Sequence, residues 1–152
     1  MFEYLEVHIG KFTFKVATDR LYTGEGVWVL AVDGALRIGI SDYFQQHSGD
    51  VAFMDVRRVG TALKVGEEIA AIETIKVNIS LASPVAGKIV RDNPLLETAP
   101  EMINQDPYGE GWLCEVEPDD WELTCKKLLD PTSYFDLVKR EAENEDKQND
   151  RS

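Results

Sequence analysis

Residues 73–89 read ETIKVNISLASPVAGKI and place Lys76 between two runs that alternate apolar and polar side chains. An amine at the tip of a tight strand-turn-strand is a nucleophile that a modifying enzyme can acylate. Val77, Ile79 and Leu81 alternate with Asn78, Ser80 and Ala82, so the strand leaving the lysine is predicted to turn those three apolar residues inward. Pro84 and Gly87 fix a turn beyond it. A rigid tip with one protruding amine is a shape that such an enzyme can recognise.

Nothing else in the chain has the spacing of a reaction centre. His8 and His47 stand far apart without metal-ligand spacing, and the Ser, His and acidic residues form no nucleophile motif. Cys114 and Cys125 are too widely separated for a CxxC pair, and Cys114, in WLCEV, reads as a buried strand residue. No catalytic residue and no metal ligand is assigned.

The elements that must hold Lys76 follow from pattern. KFTFKV puts Phe12, Phe14 and Val16 on one side of a strand, with Lys11, Thr13 and Lys15 on the other. VWVLAVDGALRIGI predicts two strands joined at Asp33-Gly34, a dipeptide suited to a positive-φ hairpin turn. Ser41-Asp42 caps a short helix through YFQQH that stops at Ser48-Gly49, and DVAFMDV resumes as strand. From Gly60 to Val90 short strands alternate with Gly and Pro, which suggests a sandwich or small barrel. Thr98 and Glu101 are placed as a capping box before EMINQ. A last helix is predicted from about Thr132 to Glu143, and the polar residues beyond it are expected to be disordered.

Composition bounds the partners. The 152 residues suit one domain, and the net charge of −12, from 28 acidic against 16 basic side chains, would repel a phosphate backbone. Nucleic acid is excluded as the natural partner, and an acidic surface would steer the chain towards basic patches on other proteins. No apolar run approaches the roughly 18 residues of a membrane span. The start, MFEYLEVHIGKF, lacks the features of a signal peptide, so a cytoplasmic location is expected.

ETIKVNISLASPVAGKIV resembles the lipoyl-attachment hairpin of the glycine cleavage H-protein family, in which a glutamate stands three positions before the modified lysine. The likeness continues through RIGISDYFQQHSGDVAFMDVRRVGTALKVGEE before the lysine and NPLLETAPEMINQDPYGEGWL after it, covering roughly residues 21–143. The resemblance implies a mainly β fold, a lipoyl/biotinyl-like barrel-sandwich hybrid with short flanking helices and a C-terminal helix. It implies an N-terminal extension over 1–20, a carrier domain over 21–143 and an acidic tail over 144–152. It assigns covalent lipoate to Lys76 and recognition by the lipoylating enzyme to Glu73. Methionines usually flank a biotinylated lysine, whereas Ile75 and Val77 stand here.

The implied role is a swinging-arm carrier, a substrate of its partners and not an enzyme. The arm would take an aminomethyl group from a pyridoxal-phosphate glycine decarboxylase and yield its carbon to a folate-dependent aminomethyltransferase. Dihydrolipoyl dehydrogenase would reoxidise it, and a lipoate ligase or lipoyl synthase pathway would install it. One departure bears on the cargo: the family usually has a histidine-glutamate-tryptophan run where this chain has Gly26, Val27 and Trp28. That change, with the N-terminal segment 1–20 and the longer acidic C-terminus that exceed the usual family outline, resembles H-like lipoate-binding proteins serving a heterodisulfide-reductase-like complex in sulfur oxidation, which stands as an alternative. A third reading is an unmodified β-rich interaction module.

Overall fold

The asparagine-free turn Asp33-Gly34 adopts positive φ at both residues, 47° and 82°, and joins β4 (Val27–Val32) to β5 (Ala35–Ile40) as the dipeptide predicts. The computed structural model describes residues 3–150. Before this hairpin come β1 (Tyr4–Ile9), β2 (Phe12–Ala17) and β3 (Leu21–Tyr22). After it, α1 (Asp42–Ser48) starts where the Ser41 hydroxyl accepts from the Phe44 amide at 3.1 Å, and Gly49 caps its end. Then follow β6 (Val51–Val56), β7 (Ala62–Leu63), β8 (Glu68–Thr74), β9 (Asn78–Ala82) and β10 (Gly87–Asp92). The chain continues through α2 (Leu95–Thr98), α3 (Met102–Gln105), β11 (Cys114–Pro118), α4 (Trp121–Lys126) and α5 (Pro131–Asp150).

The strands form a six-stranded sheet in the order β3-β4-β5-β11-β10-β7 and a three-stranded sheet in the order β6-β8-β9, besides the β1-β2 hairpin. Every pairing within these sheets is antiparallel. Alternation along the strands sends Ile38, Ile72, Leu81, Ile89 and Val116 into one core that both larger sheets share, and Ile69 joins them at the register shift between Glu68 and Ala70. This is the mainly β, barrel-sandwich arrangement, and α5 supplies its C-terminal helix.

A second core lies outside the first. Phe14 and Val16 of β2, Tyr22, Trp28, and Tyr134 and Val138 of α5 pack together there. Tyr22 and Tyr134 stack with ring centroids 4.4 Å apart. The Trp28 indole N–H donates to the carbonyls of Ile40 and Pro107, each at 3.0 Å. Its ring lies so close over Gly39 that a β-carbon there would collide with it.

Three expectations need correction. Phe12 does not join Phe14 and Val16 inside but stays 47% exposed, because it opens β2 at the hairpin tip, beyond the reach of the core. The Thr98–Glu101 capping box does not form: Thr98 ends α2 with its hydroxyl donating to the Leu95 carbonyl, and Glu101 sits in helical backbone without a side-chain cap bond. The last helix continues past Glu143 to Asp150. Its extra turns are held by a tertiary contact that polarity alone conceals: Glu145 accepts from the Tyr43 hydroxyl at 3.0 Å. The same carboxylate lies 2.8 Å from His47 Nε2. Residues 151–152 of the expected tail lie outside the described residues.

Candidate functional site

Glu73↔Asn78 is the last pair of the β8–β9 ladder, so Thr74 to Val77 make the turn that projects from the three-stranded sheet. Thr74 builds it. Its hydroxyl accepts from the amides of Lys76 (3.2 Å) and Val77 (3.0 Å) and donates to the Val77 carbonyl at 3.1 Å. Its own amide donates to that carbonyl at 2.9 Å. A short side chain bonding to backbone two and three residues on is how a Ser or Thr closes a turn locally. The Thr74 side chain faces inward and is buried, which anchors the turn to the core.

This closure corrects the predicted alternation. Ile79 is half-buried and Leu81 buried as expected, but Val77 is 49% exposed and Ile75 74% exposed. Strand geometry begins only at Asn78, so Val77 belongs to the turn and follows its bend outward. Lys76 is therefore flanked by two exposed aliphatic side chains. Its amine makes no hydrogen bond or ion pair among the described residues.

Below the amine the lysine is less free. A β-carbon built at Gly49, whose φ is +91°, would lie 3.4 Å from Lys76 Cδ and 3.6 Å from Cγ and Cε, so the aliphatic stem rests on the glycine that caps α1. Asn104, in α3, fixes that support. Its Nδ2 donates to the Gly49 carbonyl and to Gln45 Oε1, both at 3.0 Å, and its Oδ1 accepts from the Val51 amide at 2.9 Å. The Asp50 carbonyl accepts from the Ile75 amide at 3.1 Å. Sequence reasoning missed both Thr74 and Asn104; Thr74 carried a signal as a hydroxyl residue ending a strand, whereas Asn104 carried none.

Glu73 stands outward on β8, opposite Asn78 on one side and Phe53 of β6 on the other. Its carboxylate joins no ion pair among the described residues, and the exposed Asp50 and Asp55 lie on the adjoining loop and strand. The tip is thus one cation and two aliphatic side chains above an acidic base.

The remaining reactive residues are absorbed by structure. His8 Nδ1 lies 2.6 Å from the Thr13 hydroxyl, and His47 pairs with Glu145. No cluster of three or more metal-ligating side chains occurs among the described residues. Cys114 is fully buried, and burial, with Asp92 and Glu115 nearby, pushes its thiol up to about 12, far from a reactive thiolate.

The Gly26-Val27 pair also has a structural cause. Gly26 has φ +99°, and a β-carbon there would lie 2.9 Å from the Tyr134 hydroxyl and 3.1 Å from Ser41 Oγ, two atoms 2.7 Å apart in a buried hydrogen bond. A histidine does not fit. Val27 is 1% exposed and faces the main core, opposite Ile40 in the ladder.

The family described as Glycine cleavage H-protein matches residues 20–141. A glycine cleavage system H protein of Thermus thermophilus is 39% identical over 127 residues, spanning 84% of this chain and 98% of its own. One of Bacteroides thetaiotaomicron is 41% identical over 117 residues, spanning 77% and 92% respectively. The crystal structure of a glycine cleavage system H protein from Mycobacterium marinum superposes with a TM-score of 0.70 at 32% identity, covering 77% of this chain and 94% of that one.

Proposed function

The chain belongs to the glycine cleavage H-protein family, and from that premise we propose that Lys76 is the site at which lipoate is attached by an amide bond. Proteins of this family are lipoyl carriers in glycine cleavage. The observation that carries the assignment to Lys76 is its free amine on a turn whose backbone Thr74 clamps and whose stem Gly49 supports. These residues fit the group: the amine is open to acylation, and loss of its charge leaves no partner unpaired. When bound, the dithiolane supplies a disulfide that accepts electrons together with a carbon unit and is later restored by thiol-disulfide exchange.

The protein's own part is mechanical. The clamped turn holds the arm's root still, while the exposed Ile75 and Val77 keep the surroundings of the amine apolar and open to an approaching active site. Tethering replaces diffusion of a free cofactor with a high local concentration at each docked enzyme. Glu73, on the strand leading to the turn, is the recognition residue for the lipoylating enzyme. The partners are a pyridoxal-phosphate glycine decarboxylase, a folate-dependent aminomethyltransferase and dihydrolipoyl dehydrogenase, with an aminomethyl group and reducing equivalents as cargo, in the cytoplasm. One observation favours a second reading, the sulfur-oxidation carrier: Val27 lies in the core where the family usually has an acid, leaving no carboxylate there to pair with a cationic cargo.

Intact mass spectrometry after incubation with a lipoate ligase, ATP and lipoate tests the site, because the expected gain is about 188 Da, the formula difference for one such cofactor arm. Lys76→Arg keeps the charge but lacks the acylable amine, and no gain is expected. A gain in that variant places the attachment elsewhere.

A further inference from the structure

The three-stranded sheet that carries the Lys76 turn presents exposed residues in two outward rows: Phe53, Glu73 and Asn78 nearest the turn, then Asp55, Ala71 and Ser80. All but one of these are small or polar. Phe53 is the exception, 57% exposed and directly opposite Glu73 in the β6–β8 ladder.

A bulge puts the ring there. Val51 is buried opposite Thr74, and unbroken alternation from it would turn Phe53 inward as well. The register shift between Val51 and Phe53 inserts Ala52, so Phe53 faces outward and Met54 packs on the core instead. Bulges re-aim side chains in this way beside functional sites. The backbone of Phe53 stands one strand spacing, about 4.8 Å, to the side of Glu73.

Taking Lys76 as the lipoate site, we propose that Phe53 is a specificity-determining residue of lipoylation: its ring enters an apolar recess of the lipoylating enzyme, beside a lysine or arginine that pairs with Glu73. The bare amine sits on a short four-carbon stem that lies against Gly49. An enzyme that acylates it must close over the turn, and the row just below the turn then comes under that enzyme's surface. Enzymes that act on the dithiolane meet it at the end of a much longer arm and need not reach this row. The charges fit the same partner. Glu73 joins no ion pair among the described residues, and Asp55 is exposed further along the Phe53 strand, so the covering surface has to be apolar over the ring and basic around it.

The test is steady-state lipoylation of the full-length chain by the lipoate ligase of the same organism, with ATP and lipoate, read by intact mass. Phe53→Ser is expected to raise KM for the chain about tenfold and to leave kcat unchanged, because the contact forms before the chemical step and persists through it. Phe53→Leu keeps an apolar side chain and is expected to stay within about twofold of wild type. Melting is expected to match in all three proteins, since the ring is exposed. Once lipoylated by prolonged incubation, Phe53→Ser is expected to be reduced by dihydrolipoyl dehydrogenase and NADH at the wild-type rate. An unchanged KM in Phe53→Ser, with the wild type lipoylated at Lys76, overturns this inference and leaves the carrier reading intact. A wild-type chain that accepts no lipoate overturns both. A fall in kcat at constant KM, or equal slowing with dihydrolipoyl dehydrogenase, overturns the assignment of Phe53 to the lipoylating enzyme. A wild-type dimer in sedimentation that Phe53→Ser dissolves would give the ring a different occupant and overturn it too.

Discussion

Val27→Glu restores the acid usual in the family, and the structure predicts that it damages the fold before it can serve any cargo. The valine is 1% exposed within the core that joins the two larger sheets. A neutral glutamic acid there costs about 1–3 kcal/mol for an unsatisfied buried polar group. Burial raises a carboxyl pKa by as much as 3–5 units from about 4.3, so ionisation in the folded state is postponed to pH 7 or beyond. Between the unfolded and folded pKa values the folded state binds more protons, and stability therefore falls as pH rises. From pH 4.3 to 7 that adds about 2.7 units at 1.36 kcal/mol each, or about 3.7 kcal/mol. The expected destabilisation relative to wild type is thus about 2 kcal/mol near pH 4 and about 5–6 kcal/mol at pH 7, a large share of the roughly 5–15 kcal/mol that holds a domain folded. Urea unfolding of both proteins at the two pH values measures it. A loss below about 1 kcal/mol at pH 7, or one independent of pH, would refute the reasoning. The side chain would then reach solvent, and slower ammonia release from the loaded variant would become the relevant comparison.

Glu73→Ala is expected to slow lipoylation by the cognate ligase several-fold with unchanged melting, and wild-type kinetics would remove Glu73 from the recognition surface. Thr74→Val strips the hydroxyl that closes the turn and should cost about 1 kcal/mol, with a slower lipoylation rate read from the same mass shift. Unchanged kinetics there would mean that the turn's conformation does not matter to the modifying enzyme. Ser41→Ala removes both the α1 cap and the partner of the Tyr134 hydroxyl, for about 1–2 kcal/mol in urea unfolding. A loss under about 0.5 kcal/mol, the low end for such caps, would show that another group takes over.

Local signals in the sequence located most of the carrier domain. Asp33-Gly34, Ser41 and Gly49 each encode a turn or cap within a few residues, and each appears where its chemistry placed it. Failures came where a residue's fate depends on distant chain. The polar stretch after Glu143 reads as tail by composition, yet Tyr43 and His47, far earlier in the chain, hold it helical. Strand alternation extended one residue too far at Val77, because the Thr74 hydroxyl competes locally with the ladder. At the site, Lys76 stood out as the lysine of a strand-turn-strand and Glu73 came from the family resemblance alone, whereas Asn104 reaches the Lys76 support from a different helix and no periodicity points to it.

The two larger sheets differ in how far along the chain their strands are drawn. The three-stranded sheet that bears Lys76 uses residues 51–82 only, while the six-stranded sheet closes when β11 inserts between β5 and β10. Short loops close at small entropic cost and fast, and long-range pairings wait. During synthesis, which releases the N-terminal part first, the Lys76 hairpin has all of its ladder partners before Cys114 to Pro118 have been made. β11 is then the last strand of the two larger sheets to be made, and α5 follows it.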